Sequence, residues 1–544
     1  MTTYLKKHST VITLLLILVL ATFLRVVKLD TTPSGFHADE ASFYVNAVAL
    51  SETGADEDNV RLPISLSSLI DPKPALYSYF QIPFITTLEN QVLASRLPAA
   101  LMGIASLVVI YLLLLQIIST NVALLMTLIL SISPWHIVVS RGTQEVIASF
   151  FFMTLSLLCL LLYQKKTSYK KVIAFSVSAF LSMYFYHSAK VLLPLLVFGL
   201  SMYSYKKSKD SIKIFITVLG ITFLAALFSV LVQESTSRIA AVGILTDEAP
   251  MHRLVEKIYT LHGELPVPVV RIFYNKIGAY LGAIAEEYVA YFSPEFLFLE
   301  GGKPFRYTVP GHGLLYLIEI PLLLLGLFSA IRSKKKATYL FLGLLLLAPI
   351  PAALTTQETP SMIRSFPMVI ALAYFIAVGI SSIYSARFQY VRHLTLLSII
   401  LVYCWQIGYF ALQYDVQAYY DTPWYRNSPY SDIAKEVAAS SDNYREIRVT
   451  NDLRPLYAYF AIENLFDVAE LQTQPHARDN AEYRLGKFVF NRGVCDLGSR
   501  EQGVLYIAET QCRERIEDAS SFKVVKTISY QDGTPVYELL EITE

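Results

Sequence analysis

Charged residues are scarce in this chain of 544 residues, and their scarcity argues against a soluble globular protein. Asp, Glu, Lys and Arg make up 16% of the sequence, hydrophobic residues make up 54%, and the mean hydropathy is +0.46. Soluble domains usually contain about 25% charged residues. The net charge of +1 provides no long-range field that would attract nucleic acid. The composition therefore indicates an integral membrane protein without a nucleic-acid partner.

Cysteine is also rare, and the four cysteines form no zinc-site pattern with histidine. Residues 413–544 contain no glycine-rich phosphate loop of the GxGxxG or Walker type. The sequence therefore predicts no bound cofactor and no metal site, although a divalent metal stays open. Cys495 and Cys512 both fall in this C-terminal region, where a disulfide is permitted outside the membrane. A bonded and an unbonded pair both stay open.

Long apolar stretches are abundant. A membrane-spanning helix needs about 17–25 apolar residues, and the chain contains about eleven stretches near this length. The predicted spans are 11–27, 92–117, 120–134, 144–163, 172–188, 190–205, 212–232, 313–331, 337–354, 362–384 and 394–412.

Lys and Arg in the short loops predict the orientation, because cytoplasmic loops carry an excess of both residues. With these spans, five basic segments fall on one side of the membrane: 6–7, 165–171, 206–213, 332–336 and 387–392. We therefore expect a multi-pass plasma-membrane protein with a cytoplasmic N-terminus, a retained first helix and an extracytoplasmic C-terminus.

Two regions follow from this topology. Residues 1–412 form a transmembrane domain with large outer loops at 28–91 and 233–312, and residues 413–544 form a small extracytoplasmic α/β domain. In the smaller domain the residue pattern predicts strands at 446–450, 503–508, 522–530 and 535–542, the last two joined around Asp532-Gly533, and a helix over 455–464. We expect this domain to dock or shape a substrate.

Adjacent carboxylates, Asp39 and Glu40, follow the first span. Such a pair at the membrane boundary suggests proton transfer or cation binding. The alternative is an ordinary acidic first turn of a helix.

Three cations near the outer boundary, Lys73, Arg96 and Arg141, go against the cytoplasmic bias of positive charge. They are candidates to bind a phosphate or to pair with the carboxylates. For Lys73 the alternative is an interfacial side chain that extends toward water. His136 also falls near this boundary and is a possible polar site residue.

Asp56, Glu57 and Asp58 fit the DxD pattern with which some glycosyltransferases hold a metal and a nucleotide sugar. Short acidic matches are frequent by chance. We interpret this segment as a solvated loop.

The order of several short segments resembles that of the C-type membrane glycosyltransferases, in the bacterial protein O-mannosyltransferase and aminoarabinose-transferase branch. The matching segments are 33–41, 73–77, 96–98, 133–136 and 140–141. The resemblance implies a glycosyltransferase that moves a sugar from a polyprenyl-phosphate donor to a glycan, lipid or protein acceptor on the outer face, with inversion. It places Asp39 near the acceptor with Glu40 beside it, Lys73 on the donor phosphate, and Glu145 as a second acidic candidate from the next outer loop. Arg96 matches the Arg that follows the loop in the mannosyltransferases, and we expect it to act on the donor phosphate with Lys73.

Other classes stay open. A transporter or flippase usually has mid-membrane charges and repeated halves, and this chain has few of the former and no evident repeat. A membrane sensor with an outer domain and a glycan ligase or polymerase are the remaining alternatives.

Overall fold

The chain is described by a computed structural model. The residues that it describes are 2–68, 71–204, 209–232, 243–261, 265–385, 387–421, 423–426, 428–450, 456–474, 480–493, 495–498, 500–515 and 521–543. Lys206 and Lys207 of a predicted basic loop, the start of the predicted outer loop 233–312 and Pro455 of a predicted helix lie outside these ranges.

The chain forms two compact units, each built from separate segments. The first contains Met1–Val27, Ala99–Ser140 and Gln144–Gln413; the second contains Lys28–Pro98, Arg141–Thr143 and Tyr414–Glu544. This grouping differs from the expected division into 1–412 and 413–544, because the first outer loop belongs to the same unit as the C-terminal residues.

The first unit is helical, and every predicted span overlaps a helix. Its longer helices are Thr2–Val26, Gln91–Leu114 (which begins in the second unit), Thr120–Ile132, Glu145–Lys165, Tyr169–Phe185, His187–Ser204, Lys209–Val232, Glu319–Ser333, Lys336–Leu347, Met368–Tyr384 and Gln389–Leu412. Its other helices are Pro134–Arg141, Ala249–Thr260, Val267–Phe273, Lys276–Ala290, Glu295–Leu299, Phe305–Tyr307 and Ile350–Ala353.

Fewer than eleven of the described helices meet the length and hydropathy expected of a membrane span. Within the described part of the chain, five helices are long and apolar enough to cross a membrane. A sixth is added if Thr120–Ile132 and Pro134–Arg141, which meet at a bend of 56°, form one broken span. The number of spans therefore stays a prediction, whereas the helical membrane architecture is present.

Two glycines allow helix Glu319–Ser333 to pack closely along helix Met368–Tyr384. A Cβ atom added to Gly326 would lie 1.7 Å from the carbonyl oxygen of Phe375, and one added to Gly379 would lie 2.1 Å from that of Leu322. Small residues at such crossings let two backbones approach directly.

The second unit begins with helix Ala38–Thr53, the antiparallel strands β1 (Ser65–Ser68) and β2 (Asp71–Pro74), and helix Ala75–Ile85. Its C-terminal part has a six-stranded sheet in the order β4-β5-β3-β6-β8-β7. The strands are β3 Glu446–Val449, β4 Glu482–Leu485, β5 Phe488–Asn491, β6 Val504–Glu509, β7 Phe522–Ser529 and β8 Pro535–Ile542. Around it lie the helical segments Gln413–Gln417, Ala418–Asp421, Pro423–Arg426, Ser428–Ser440, Ser441–Asn443, Leu456–Ile462, Val468–Thr473 and Thr510–Arg515.

The predicted elements of the C-terminal region are present. Strands β3, β6, β7 and β8 lie where the pattern placed them, and Gly533 in the turn between the last two has φ +87°. Strands β4 and β5 and the helix Ser428–Ser440 were not predicted.

One hydrophobic core explains why distant segments form a single unit. Phe36, Ala41 and Val45 are buried in the same cluster as Phe460 and Leu505. The apolar side of the helix after Asp39 is therefore covered by the C-terminal sheet and its helices. Cys495 and Cys512 are joined by a disulfide in this unit.

Candidate active site

The first turn of helix Ala38–Thr53 is fixed by a capping box. The His37 side chain accepts a hydrogen bond from the backbone N–H of Asp39 (3.1 Å), and the Glu40 carboxylate accepts one from the backbone N–H of His37 (3.1 Å). The preceding Gly35 has φ +74°, and a Cβ there would lie 2.7 Å from the backbone oxygen of Arg426. The chain therefore enters the helix in one defined direction, which fixes the position of Asp39.

The Asp39 side chain is partly exposed to solvent and contacts a buried cation. Its side chain is 33% exposed, and Oδ1 lies 2.8 Å from Nζ of Lys73, whose side chain is only 9% exposed. The contact does not meet hydrogen-bond geometry, so it is an ion pair. Oδ2 lies 3.3 Å from Nδ1 of His37. Asp39 thus presents a partly exposed carboxylate in contact with an ammonium group.

Lys73 is held by β2 and by an aromatic ring. Its register partner on β1 is Leu66, and its ammonium lies 5.3 Å from the ring centre of Phe43. A cation over an aromatic face is stabilised by the ring quadrupole. The sequence signal for this contact is the spacing of Phe43, four residues after Asp39 on one helix; Phe43 was not singled out from the sequence.

Glu40 has a different environment from Asp39. It is buried, and its carboxylate accepts from Nε (2.9 Å) and Nη2 (3.0 Å) of Arg96 and from the backbone N–H of Thr143 (3.0 Å). Burial alone would raise the pKa of Glu40, but the charge and hydrogen bonds of Arg96 hold that pKa below its usual range. Glu40 is thus a structural anion.

Arg96 uses its complete set of donors within the protein. Besides its bonds to Glu40, Nη1 donates to the backbone oxygens of Leu29 (3.2 Å) and Pro33 (2.8 Å), and Nη2 donates to that of Gly35 (2.5 Å). A guanidinium has five N–H donors, and these five contacts use all of them. This geometry does not fit the donor-side role expected for Arg96, nor a catalytic role for Glu40.

Arg141 also binds backbone. It is buried, and Nη2 donates to the carbonyls of Lys28 (3.0 Å) and Thr32 (2.8 Å), while the guanidinium lies 5.8 Å from the ring centre of Tyr414. Arg96 and Arg141 together hold the segment that leads from the first helix to Asp39, which gives their positive charge a structural reason.

His136 belongs to a buried network of the first unit. Its Nδ1 lies 3.0 Å from Nη2 of Arg25 and 3.1 Å from Oγ of Ser140, and its Nε2 lies 3.1 Å from Oγ of Ser106. Glu145 is half-buried in the first turn of helix Glu145–Lys165, also in the first unit.

The interpretation of Asp56, Glu57 and Asp58 as a solvated loop is wrong, because all three are buried. Asp56 accepts from the backbone N–H groups of Asp58 (3.0 Å) and Val60 (2.9 Å), and Glu57 accepts from the Tyr457 hydroxyl (2.9 Å). Burial raises the pKa of Asp56. Among the described residues, no three His, Cys, Asp or Glu side chains are grouped to hold a metal ion.

Comparisons with known proteins agree with the predicted fold. Residues 72–233 match the model of a family described as dolichyl-phosphate-mannose-protein mannosyltransferase. A search among curated proteins gives no match.

Two solved structures extend the likeness to nearly the whole chain. ArnT from Cupriavidus metallidurans bound to undecaprenyl phosphate matches with a TM-score of 0.54 at 11% identity, over 97% of each chain. The archaeal oligosaccharyltransferase AglB from Archaeoglobus fulgidus, in complex with an inhibitory peptide and a dolichol-phosphate, matches with a TM-score of 0.51 at 12% identity. That match covers 84% of this chain and 64% of AglB. The likeness confirms the predicted fold, a helical membrane architecture of the kind found in ArnT and AglB with a C-terminal α/β part.

Proposed function

We propose that this protein is a glycosyltransferase that moves a sugar from a polyprenyl-phosphate donor to an acceptor, with Asp39 on the acceptor side and Lys73 on the donor phosphate. The observation that carries this proposal is the ion pair between the reachable carboxylate of Asp39 and the enclosed ammonium of Lys73. The likeness of residues 72–233 to a family named for a dolichyl-phosphate sugar supports the class of donor.

The two groups supply what the reaction requires. The acceptor oxygen attacks the anomeric carbon while its proton passes to the Asp39 carboxylate. The bond between the anomeric carbon and the phosphate oxygen breaks, and the phosphate leaves with the electron pair. The Lys73 ammonium stabilises the charge that develops on this leaving group. Direct displacement of this kind inverts the anomeric centre.

In the structure Lys73 lies against Asp39, so the donor phosphate has to compete with the carboxylate for the ammonium. When a phosphate takes over Lys73, Asp39 loses the adjacent ammonium charge that opposes protonation of its carboxylate. Glu40, Arg96 and Arg141 act as positioning residues, because their side chains hold the backbone that leads into Asp39.

The proposed topology places this chemistry outside the cytoplasm, with the N-terminus inside and the C-terminus outside. The charge distribution of the short loops supports this orientation. A lipid-linked donor suits such a site, because nucleotide sugars are not expected there. The proposed acceptor is a glycan, a lipid or a protein.

The test is mass spectrometry of membrane lipids from a strain that lacks this protein. The proposal expects a lipid-linked sugar to accumulate and to return to its normal level when the intact chain is supplied. A vesicle uptake assay distinguishes the rival function: sugar accumulation inside sealed vesicles, without a glycosylated acceptor, would indicate a transporter instead.

A further inference from the structure

A second concave site, separate from the Asp39–Lys73 pair, lies in the C-terminal part of the second unit. Its volume is about 300 Å³, the lower end of the range that holds small ligands. Its walls come from the segment that follows the last long helix, from the end of β6 and from the hairpin of β7 and β8. The residues that line it are Trp424, Pro429, Tyr430, Glu509, Thr510, Gln511, Tyr530, Pro535, Val536 and Tyr537.

Aromatic rings form the apolar part of this cavity. Trp424 and Tyr530 meet edge to face with ring centres 6.0 Å apart, and Tyr430 and Tyr537 do so at 5.9 Å. Trp424 is nevertheless 41% exposed. A fixed aromatic pair with an exposed indole provides a preformed apolar surface with little entropy to lose on binding.

Three consecutive residues, Glu509, Thr510 and Gln511, supply the polar part. Register pairing of Glu509 with Tyr537 holds the carboxylate at the end of β6, and Gln511 Nε2 donates a hydrogen bond to it. The hydroxyl oxygen of Thr510 is buried and has no hydrogen-bond partner among the described residues. A buried hydroxyl without a partner is costly unless a ligand or water completes it.

The charges of the residues that line the cavity indicate which class of ligand fits it. Among the residues that line the cavity, all of them described, none is Lys or Arg, and Glu509 is acidic. A phosphate or an anionic lipid headgroup would therefore meet a carboxylate and no cation. A pyranose fits better, since its C–H face can pack on an aromatic ring while its hydroxyls bond to a carboxylate, an amide and a hydroxyl.

We infer that this cavity binds an uncharged saccharide unit. In the context of glycosyl transfer, that unit is part of a glycan acceptor, and this assignment as an acceptor site rests on the proposed function. The binding of a saccharide is independent of the proposed function, because none of the lining residues takes part in the transfer step.

The experiment uses the full chain in nanodiscs of neutral lipid and a panel of uncharged disaccharides built from mannose, glucose, galactose and N-acetylglucosamine. Saturation-transfer NMR reports direct contact of each sugar with the protein. We expect at least one disaccharide to bind, and Trp424→Ala to weaken it by roughly tenfold, the scale of an aromatic contact. Glu509→Gln, which preserves shape, should weaken it as well.

Trp405→Ala is the matched control, because Trp405 is an exposed indole of helix Gln389–Leu412 that does not line the cavity. It should leave saccharide binding unchanged. Asp39→Asn should also leave it unchanged while transfer falls, which separates failure of this inference from failure of the proposed transfer. Absence of any saccharide contact with the intact chain, or contact that survives both Trp424→Ala and Glu509→Gln, would overturn the inference. So would a Trp424-dependent signal from anionic lipid or polyprenyl phosphate with none from the sugars.

Discussion

Asp39 and Glu40 are neighbours in the sequence but have opposite surroundings. The Asp39 side chain is 33% exposed and pairs with Lys73, whereas that of Glu40 is 3% exposed and pairs with Arg96. A helix turns by about 100° per residue, so adjacent side chains point in different directions. One carboxylate therefore faces the reachable side of the helix and the other faces the protein interior.

Glu40→Gln should destabilise the fold, because it leaves the buried Arg96 without its anion. Breaking a buried ion pair typically costs about 3–5 kcal/mol. The matched control is Glu286→Gln, which removes the exposed partner of Arg253 and should cost about 0–1 kcal/mol. Denaturant unfolding of both variants in detergent checks this, and equal costs would contradict the structural role of Glu40.

The pH dependence of stability has a defined sign at Glu40. Its pKa is lowered from 4.5 in the folded protein, so its stabilisation is complete above that ordinary value and is lost as the pH falls through the lower, folded-state pKa. The intact chain should therefore lose stability on acidification more steeply than Glu40→Gln does. Thermal unfolding between neutral and acidic pH measures this difference.

Lys73→Ala should weaken donor binding more than acceptor binding. Loss of a charged hydrogen-bonding partner corresponds to roughly a 10- to 100-fold loss of affinity. Arg61→Ala removes an exposed cation from the same loop and serves as the control. Titration with polyprenyl phosphate reports the donor side. Unchanged affinity in Lys73→Ala would return Lys73 to the role of an interfacial side chain.

At the scale of helices, the crossing of Glu319–Ser333 over Met368–Tyr384 depends on two glycines. Gly326→Ala would place a methyl group against the Phe375 backbone, which cannot move as a flexible side chain can. We expect a loss of about 1–3 kcal/mol, the usual cost of overpacking. Gly343→Ala, at a helical site with nothing within 4 Å, should be neutral or stabilising. Comparison of their unfolding temperatures checks the crossing.

Helices and strands are predicted better when the pattern that marks them lies within a short stretch of consecutive residues. Each long apolar stretch that was predicted as a span overlaps a helix, and the Asp532-Gly533 turn predicted the hairpin of β7 and β8. Strands β4 and β5 are only four residues each, so their alternation is too short to separate from irregular chain.

Long-range pairing explains what the sequence did not reveal about the site. Arg96 lies 56 residues from Glu40, and Tyr457 lies 400 residues from Glu57. No local pattern marks these partners, so Arg96 looked available to a phosphate and residues 56–58 looked solvated. Asp39 was singled out from a local signal, the adjacent carboxylates that follow the first apolar stretch, and its role stays a prediction.

At the scale of the whole molecule, the orientation in the membrane is the property on which the donor class depends. Lys335→Cys and Leu62→Cys place thiols at exposed positions in a background that lacks Cys159 and Cys404. We expect a membrane-impermeant maleimide to label the first only from the cytoplasm and the second only from outside. The reverse pattern would remove the argument for a lipid-linked donor.

The most direct test of the account is the turnover of Asp39→Asn with the lipid-linked sugar that accumulates in the deletion strain. The variant should still bind polyprenyl phosphate, and its unfolding temperature should be close to that of the intact chain. Its rate of transfer should fall by about 10²-fold or more, the scale of a general base. Glu52→Gln, an exposed carboxylate of the same helix, should transfer normally. Transfer at the intact rate by well-folded Asp39→Asn would contradict the assignment of Asp39 as the acceptor-side base.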